Sequence, residues 1–321
     1  MYQVSIIIPI YKTEKYIERC AISLFEQTLK SIEYIFVNDC TPDNSIQVLK
    51  NVLKKYPNRI SDVRIINHDH NRGIAAARNT GREVAQGEYI IECDSDDWVE
   101  SNAYEQMYQQ AKNTNSDIVV CDWNEIYATH IKHIHVIPLT NNIDCVIAIL
   151  SGRMHGSVCN KLIRKSLYKE HHINCTEGIN FLEDLSVTYR LFYFAKSITY
   201  INKPLYNYSK ENTNSYTSTW INEQSQKGMI KLTEQIQLFF EKKNCKVPLL
   251  EQAIDFFKLG IKATILLQGK PIVSTDNLHI NTSLKEILSH PTLSIYFKSA
   301  LILNYIHFQQ GIKLLRYIKG I

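Results

Sequence analysis

The chain has 321 residues, enough for about two domains and at least one full core, with an ordinary hydrophobic content of 45%. No run of about 18 apolar residues is present, which argues against a membrane-spanning helix. Its 8 cysteines are scattered without a C-x-x-C pair, arguing against a zinc site and a secreted disulfide framework, and the net charge of +4 is too dispersed for a nucleic-acid surface.

Met1-Tyr2-Gln3 runs directly into the apolar strand Val4–Pro9, which predicts no export signal and a cytoplasmic protein. Glu14–Gln27 has helical spacing, with Tyr16, Ile17, Cys20 and Leu24 on one face. A buried strand (Ile32–Val37), a helix (Asn44–Tyr56) and a third strand (Val63–Ile66) follow. Ala75–Ala85 is a helix entered through Asn71-Arg72-Gly73, then come the strand Tyr89–Ile91, the helix Asn102–Lys112 and the strand Asp117–Cys121. Apolar strands alternating with helices predict an α/β fold with a doubly wound, mostly parallel sheet.

From Trp123 to Leu139 the pattern changes to alternating strands around His130, His133 and His135. His133 and His135 share one strand face, but no carboxylate or cysteine accompanies them in the sequence, so a solvent-facing strand is the expected reading rather than a metal site. Helices are predicted over Asn142–Leu150 and Leu182–Ala195, with short strands at Ile198–Ile201 and Leu205–Tyr208. Ser209–Ser218 reads as a polar linker. Beyond it the chain is mostly helical: Gln226–Lys242, Leu249–Gln268, Ser283–Leu288, and Leu293 to the end. The expected division is a domain over 1–218 and a helical extension over 219–321. Residues 221–321 hold 13 Lys and Arg against 7 Asp and Glu, so the basic excess lies in the extension.

Four clusters fall at predicted strand ends, where open α/β sheets bind ligands. In Pro9-Ile10-Tyr11-Lys12, Tyr11 offers an aromatic platform for a base. In Asn38-Asp39-Cys40-Thr41, Asp39 can accept from a base N–H or a ribose hydroxyl. In Asn71-Arg72-Gly73 through Arg78-Asn79, Gly73 lets the backbone approach a ligand and Arg78 suits a phosphate or a base carbonyl. The fourth, Glu92-Cys93-Asp94-Ser95-Asp96-Asp97-Trp98, places three aspartates within four residues. They repel one another unless a cation sits among them, and hard oxygen donors select Mg²⁺ or Mn²⁺, ions that bridge to phosphate. The competing reading is an acidic turn capping the next helix, with Asp97 as a cap or as support for a bound ion.

These segments resemble the family 2 glycosyltransferases, which have the GT-A fold. The likeness is carried by Val4-Ser5-Ile6-Ile7-Ile8-Pro9-Ile10-Tyr11, Val37-Asn38-Asp39, the run from Asn71 to Gly81, the D-x-D element Asp94-Ser95-Asp96, and Glu183-Asp184 followed by Lys203-Pro204-Leu205-Tyr206-Asn207-Tyr208. It covers about residues 3–210 and leaves the last third without an assigned motif. The resemblance implies inverting transfer from a nucleotide-diphosphate sugar, most simply a UDP-sugar. It implies nucleotide contacts at Pro9, Tyr11, Asp39, Gly73, Arg78, Asp94 and Ser95, a Mn²⁺ or Mg²⁺ ion at Asp96 and Asp94, and Asp184 as general base, with Glu183 the second choice. His155 and Lys161, in Met154-His155-Gly156-Ser157-Val158-Cys159-Asn160-Lys161, fall where relatives line the acceptor or phosphate side. Cys159 stands where relatives often have an aromatic residue, which leaves that subsite open. The competing reading for Lys161 is a solvated helix end, and for Arg78 a surface ion pair.

The acceptor class the resemblance implies is a surface glycan or lipid-linked glycan. A basic amphipathic helix within 305–319 would suit the inner face of a plasma membrane, and the competing readings are packing onto the catalytic domain or onto a second copy. Two rivals differ in class. A nucleotidyltransferase needs a Gly-rich loop after the first strand, which Pro9-Ile10-Tyr11-Lys12-Thr13 lacks. A non-catalytic nucleotide-sugar or glycan-binding module would tolerate loss of the acidic run or of Asp184, and both are present.

Overall fold

The structure is a computed structural model and describes residues 2–212, 222–268 and 283–319. The chain divides into two units. The first comprises residues 1–142, 157–178 and 183–214, and the second 143–156, 179–182 and 215–321.

The first unit begins with β1 (Val4–Ile10), α1 (Ile17–Phe25), β2 (Ile32–Asn38), α2 (Ser45–Leu53), a 3-10 turn at Pro57–Asp62, β3 (Val63–Asn67) and α3 (Ile74–Val84). It continues with β4 (Tyr89–Glu92), β5 (Trp98–Val99), α4 (Ala103–Thr114), β6 (Ile118–Ile126) and β7 (Ile131–Ile134). After α5 (Asn142–Leu150), almost all of which belongs to the second unit, come β8 (Lys161–Arg164), α6 (Lys165–Glu170), α7 (Glu183–Phe194) and β9 (Ile198–Ser209). The sheet order is β3-β2-β1-β4-β8-β6-β9-β5, with β7 hydrogen-bonded to β6. β3, β2, β1 and β4 are mutually parallel, and β6 runs parallel to β9. β8 lies antiparallel between β4 and β6. The mostly parallel sheet expected from the sequence is therefore present.

Every residue of β1 is buried, as a central strand covered on both faces requires. α3 reaches the sheet through small residues: a Cβ at Gly81 would lie 2.4 Å from Ile7 Cγ2, and Ala75, Ala76 and Ala77 are buried beside it. Gly87, which leads into β4, passes the backbone of β1 so closely that a Cβ would meet Ser5 N at 2.6 Å.

Three local expectations need correction. Residues 198–201 and 205–208 are one strand, β9, because a register irregularity opposite Cys121–Trp123 absorbs Asn202 and Lys203. The strand over 117–121 extends to Ile126 and pairs with β7. Lys161 is not on a solvated helix end; it opens the buried strand β8, which four residues at the centre of a sheet left without a period to read.

The second unit contains α8 (Glu223–Lys242), α9 (Pro248–Gln268), α10 (Leu284–Ser289), α11 (Ile295–Tyr305) and α12 (Gln309–Lys319) besides α5. Asn222 caps α8 by accepting from Ser225 N, and Ser283 with Glu286 forms a capping box on α10. Phe256, Leu259, Ala263 and Leu267 of α9 pack with Leu266, Ile287, Ala300, Leu301 and Ile312. The segment after Leu293 is two helices, broken at Ile306–Phe308 where His307 has φ 58°. Ile312 and Leu315 turn inward while Tyr305, Phe308, Leu314, Tyr317 and Ile318 are exposed, so the apolar residues within 305–319 do not all share one face. The linker expected over 209–218 falls mostly outside the described residues, since β9 takes Ser209 and description stops at Asn212.

Candidate active site

The parallel strands end together, and the turns beyond them are tied by specific bonds. Lys12 and Cys40, in the turns that follow β1 and β2, have φ 57° and 54°, a strained state for residues with a Cβ. Lys12 N donates to Thr41 Oγ1 at 2.8 Å, joining the two turns. Pro9 is buried within β1, and Tyr11 is exposed just beyond it.

Asp39 is buried, and its carboxylate shapes the next loop. Oδ1 accepts from Arg72 N at 2.8 Å and faces His68 Nδ1 at 2.7 Å, while Oδ2 accepts from Gly73 N at 2.8 Å. Gly73 enters α3 at φ 86° and ψ 163°, a conformation essentially reserved for glycine. The carboxylate thus accepts from two backbone N–H groups of a loop more than 30 residues away in the chain, tying the end of β2 to the start of α3. His68, which also contacts Thr80 Oγ1 at 3.0 Å, escaped the sequence reading because it lies one residue past β3 in a polar stretch.

Arg78 is the centre of the charge arrangement. Its side chain is 1% exposed, so it does not present itself to solvent or form the surface ion pair considered from the sequence. It donates to Glu92 Oε2 at 2.5 Å and to Asp94 Oδ1 at 2.9 Å, and its Nε lies 3.4 Å from Asp184 Oδ1 and 3.5 Å from Glu183 Oε1. The guanidinium thus faces four carboxylates of the chain itself. Arg82, one turn further along α3, completes the buried pairing by donating from Nε to Glu92 Oε1 at 2.7 Å. Burial raises the Glu92 carboxyl, but Arg82 and Arg78 overcome that and hold it below its ordinary value. The missed signal was Arg78 and Arg82 at i and i+4 on one helical face, with an acid at the adjacent strand end.

The acidic turn follows β4. Asp94 retains partial exposure and accepts from the Cys159 thiol at 3.4 Å as well as from Arg78. Burial raises its carboxyl, Arg78 opposes the shift and Asp96 adds to it. Ser95 is buried. Asp96 is partly exposed and accepts from Asn212 Nδ2 at 2.8 Å. Asp97 is buried and makes no helix cap. It accepts from Ser209 N at 2.8 Å and from the Tyr206 hydroxyl, so β9 holds the back of the turn. Burial first, then Asp96 and Asp94, push the Asp97 carboxyl well above its ordinary value. The oxygen donors of Asp94 and Asp96 fit a hard divalent ion that takes one or two carboxylates and completes its shell with phosphate and water.

Glu183 and Asp184 open α7. Asp184 is pushed up to about 6 by burial, against the pull of Arg78, and Glu183 to about 8 by burial and then by Asp184. Both carboxyls are raised by burial, and the two charges oppose each other, so the pair favours holding a single charge. Asp184 Oδ1 is buried and accepts no hydrogen bond among the described residues, which leaves a lone pair uncommitted. Lys161 is 1% exposed, and its ammonium donates to Ser157 O at 2.6 Å and Asn160 Oδ1 at 2.8 Å, fixing the turn that carries Cys159. His155 is exposed and falls in the second unit.

The sequence profile described as Glycosyl transferase family 2 matches residues 5–171, over half of the chain and every strand end described above. This chain belongs to glycosyl transferase family 2. Among curated family relatives, it is 32% identical over 212 residues to the putative glycosyltransferase EpsH of Bacillus subtilis, covering 64% of this chain and 60% of that protein. It is 31% identical over 220 residues to the cholesterol galactosyltransferase of Borreliella burgdorferi, covering 64% and 59%. The match to the poly(ribitol-phosphate) beta-glucosyltransferase of Bacillus spizizenii is 31% over 199 residues, covering 61% of this chain and 30% of that protein. The matched part thus spans about 60% of the first of these relatives. The crystal structure of S. aureus TarS 1-349 in complex with UDP-GlcNAc superposes with a TM-score of 0.68 at 19% identity, covering 99% of this chain and 92% of that one. At that identity the likeness establishes the fold, which is the GT-A architecture expected from the motifs, with a helical C-terminal region.

Proposed function

We propose that this family 2 chain is an inverting glycosyltransferase that moves a sugar from a nucleotide-diphosphate donor to a hydroxyl of a glycan or lipid-linked acceptor. The observation that carries the reading is the pairing of Asp94 and Asp184 on one buried guanidinium. Arg78 hydrogen-bonds the carboxylate of the D-x-D turn at 2.9 Å, and its Nε lies 3.4 Å from the carboxylate at the start of α7. Donor end and acceptor end are thereby set by a single rigid fork.

Asp184 takes the proton of the acceptor hydroxyl as it attacks. Burial puts its pKa near the operating range of a general base while leaving it ionised at neutral pH. Glu183, whose carboxyl is raised by burial and by Asp184, is a neighbour that adjusts Asp184 rather than the base. Attack from the side opposite the leaving diphosphate inverts the anomeric carbon. Asp96 and Asp94 would hold Mn²⁺ or Mg²⁺ when donor binds. The ion supplies charge neutralisation to the leaving diphosphate. Asp39, Tyr11 and the Gly73 loop lie at the adjoining strand ends and would receive the nucleoside, with Pro9 and Ser95 shaping the floor. Lys161 keeps the Cys159 turn in place, and His155 is assigned to the acceptor side on the family resemblance alone.

A UDP-sugar donor is supported by the TarS structures, which carry UDP-GlcNAc or UDP. A surface-glycan acceptor is supported by the relative that acts on poly(ribitol-phosphate). Among the described residues no helix is long and apolar enough to cross a membrane. We place the reaction in the cytoplasm, at the inner face of the membrane where an acceptor is lipid-linked. The test is nucleotide release from UDP-, GDP-, dTDP- and CMP-sugars with Mn²⁺ or with chelator. Turnover of one donor, abolished by chelator, is the expected result. Binding of no nucleotide sugar in calorimetry would overturn the reading.

A further inference from the structure

The sequence offered two histidines on one strand face and no third ligand. The structure supplies the third from the neighbouring strand. The β6–β7 register sets Asn124 against His133 and Trp123 against Ile134, which brings Asp122 across from His135. The Asp122 side chain is 2% exposed. Its Oδ1 accepts from Val136 N at 2.8 Å, and that bond turns Oδ2 toward both imidazoles. Oδ2 lies 2.9 Å from His135 Nδ1 and 3.4 Å from His133 Nε2. The two rings are stacked loosely, with centroids 4.1 Å apart and planes at 31°.

Among the described residues this is the one group of three His, Cys, Asp or Glu side chains whose ligand atoms all lie within 4.8 Å of one another. We propose that Asp122, His133 and His135 form a binding site for a borderline divalent transition ion of the zinc, cobalt or nickel class, separate from the acidic turn that faces the donor. Two imidazole nitrogens and one carboxylate oxygen are the donor set such ions prefer, whereas oxygen-only sets suit Mg²⁺ and Mn²⁺. As neutral imidazoles both rings can donate from the facing nitrogen to Asp122 Oδ2, and in the other tautomer the same two nitrogens present lone pairs beside that oxygen, ready to ligate an ion. The Val136 N–H supplies the outer bond that orients a metal-binding carboxylate. His133 and His135 are 37% and 74% exposed, so the ion has an entry path and positions left for water or an outside ligand. Bound there, it would clip β7 and the segment after it to β6, whose neighbour β9 carries Tyr206 and Ser209 to Asp97.

The proposal is independent of the transfer reaction and is tested without it. Full-length protein is stripped with chelator and titrated with Co²⁺, read by its visible ligand-field absorption, and with Zn²⁺ by calorimetry. The wild type is expected to bind about one ion per chain with the absorption of a nitrogen- and oxygen-liganded site. Asp122→Asn, which keeps an acceptor for Val136 N, is expected to weaken binding by at least about tenfold, and His133→Ala/His135→Ala to abolish it. Asp96→Asn is expected to bind as the wild type does. Unchanged binding in the double histidine variant, or no Zn²⁺ binding by folded wild type, would overturn the site.

Discussion

Charge and proton position at single residues decide the chemistry proposed here. Asp184 must be ionised to act, and burial sets its pKa at about 6. A raised carboxylate pKa means that the base is lost as pH falls through that value. The profile of kcat/KM against pH should therefore hold near pH 7 and drop roughly tenfold per unit well below about 6. A flat profile down to pH 5 would reject Asp184 as the group whose ionisation limits the rate. Arg78 is expected to act by positioning. Arg78→Met leaves Glu92 with one partner and Asp94 and Asp184 with none from this side, a change that typically costs about 3–5 kcal/mol for a buried pair. Arg78→Lys keeps the charge but cannot span four carboxylates. It should lower kcat more than it raises KM for the donor, as measured by steady-state kinetics. The acids of this site were legible because their spacing was unusual. The role of Arg78 was not, because four of its partners come from two separate segments and only folding brings them to one fork.

At the scale of elements, the closeness of α3 and of the β4 entry to β1 is what fixes the strand-end edge. Gly87→Ala would drive a Cβ to 2.6 Å from Ser5 N, a backbone atom that cannot rotate away. The expected loss is about 1–3 kcal/mol or more of stability, seen as a lower midpoint in chemical denaturation with an unchanged slope. An unaltered midpoint would show that β1 and β4 tolerate separation and do not position the turn rigidly. The long helix α9 was readable to within about a residue, since its apolar positions repeat over several turns. β8 and β5 were not, for four and two residues carry no period. The strand pairing that converts His133, His135 and Asp122 into one cluster was equally hidden, because Asp122 lies just beyond the strand expected over 117–121 and only the pairing of β6 with β7 brings it to the histidines.

For the whole molecule, the parallel half of the sheet and its ligand-bearing edge followed from the alternation of elements, and the family profile covers that half. The second unit did not follow, since residues 143–156 and 179–182 join it from within the N-terminal two-thirds and no composition change marks them. Turnover by the whole chain should require a hard divalent ion. Chelator is expected to abolish nucleotide release, and Mn²⁺ or Mg²⁺ to restore it, because Asp94 and Asp96 offer only oxygen donors. Full activity in chelator would reject the assignment of those residues to an ion. The most direct test of the central claim compares wild type with Asp184→Asn for both UDP binding by calorimetry and sugar transfer at saturating donor and acceptor. UDP affinity is expected to stay within about threefold and kcat to fall by about 10²–10⁴. Wild-type transfer rates in the variant would contradict the claim.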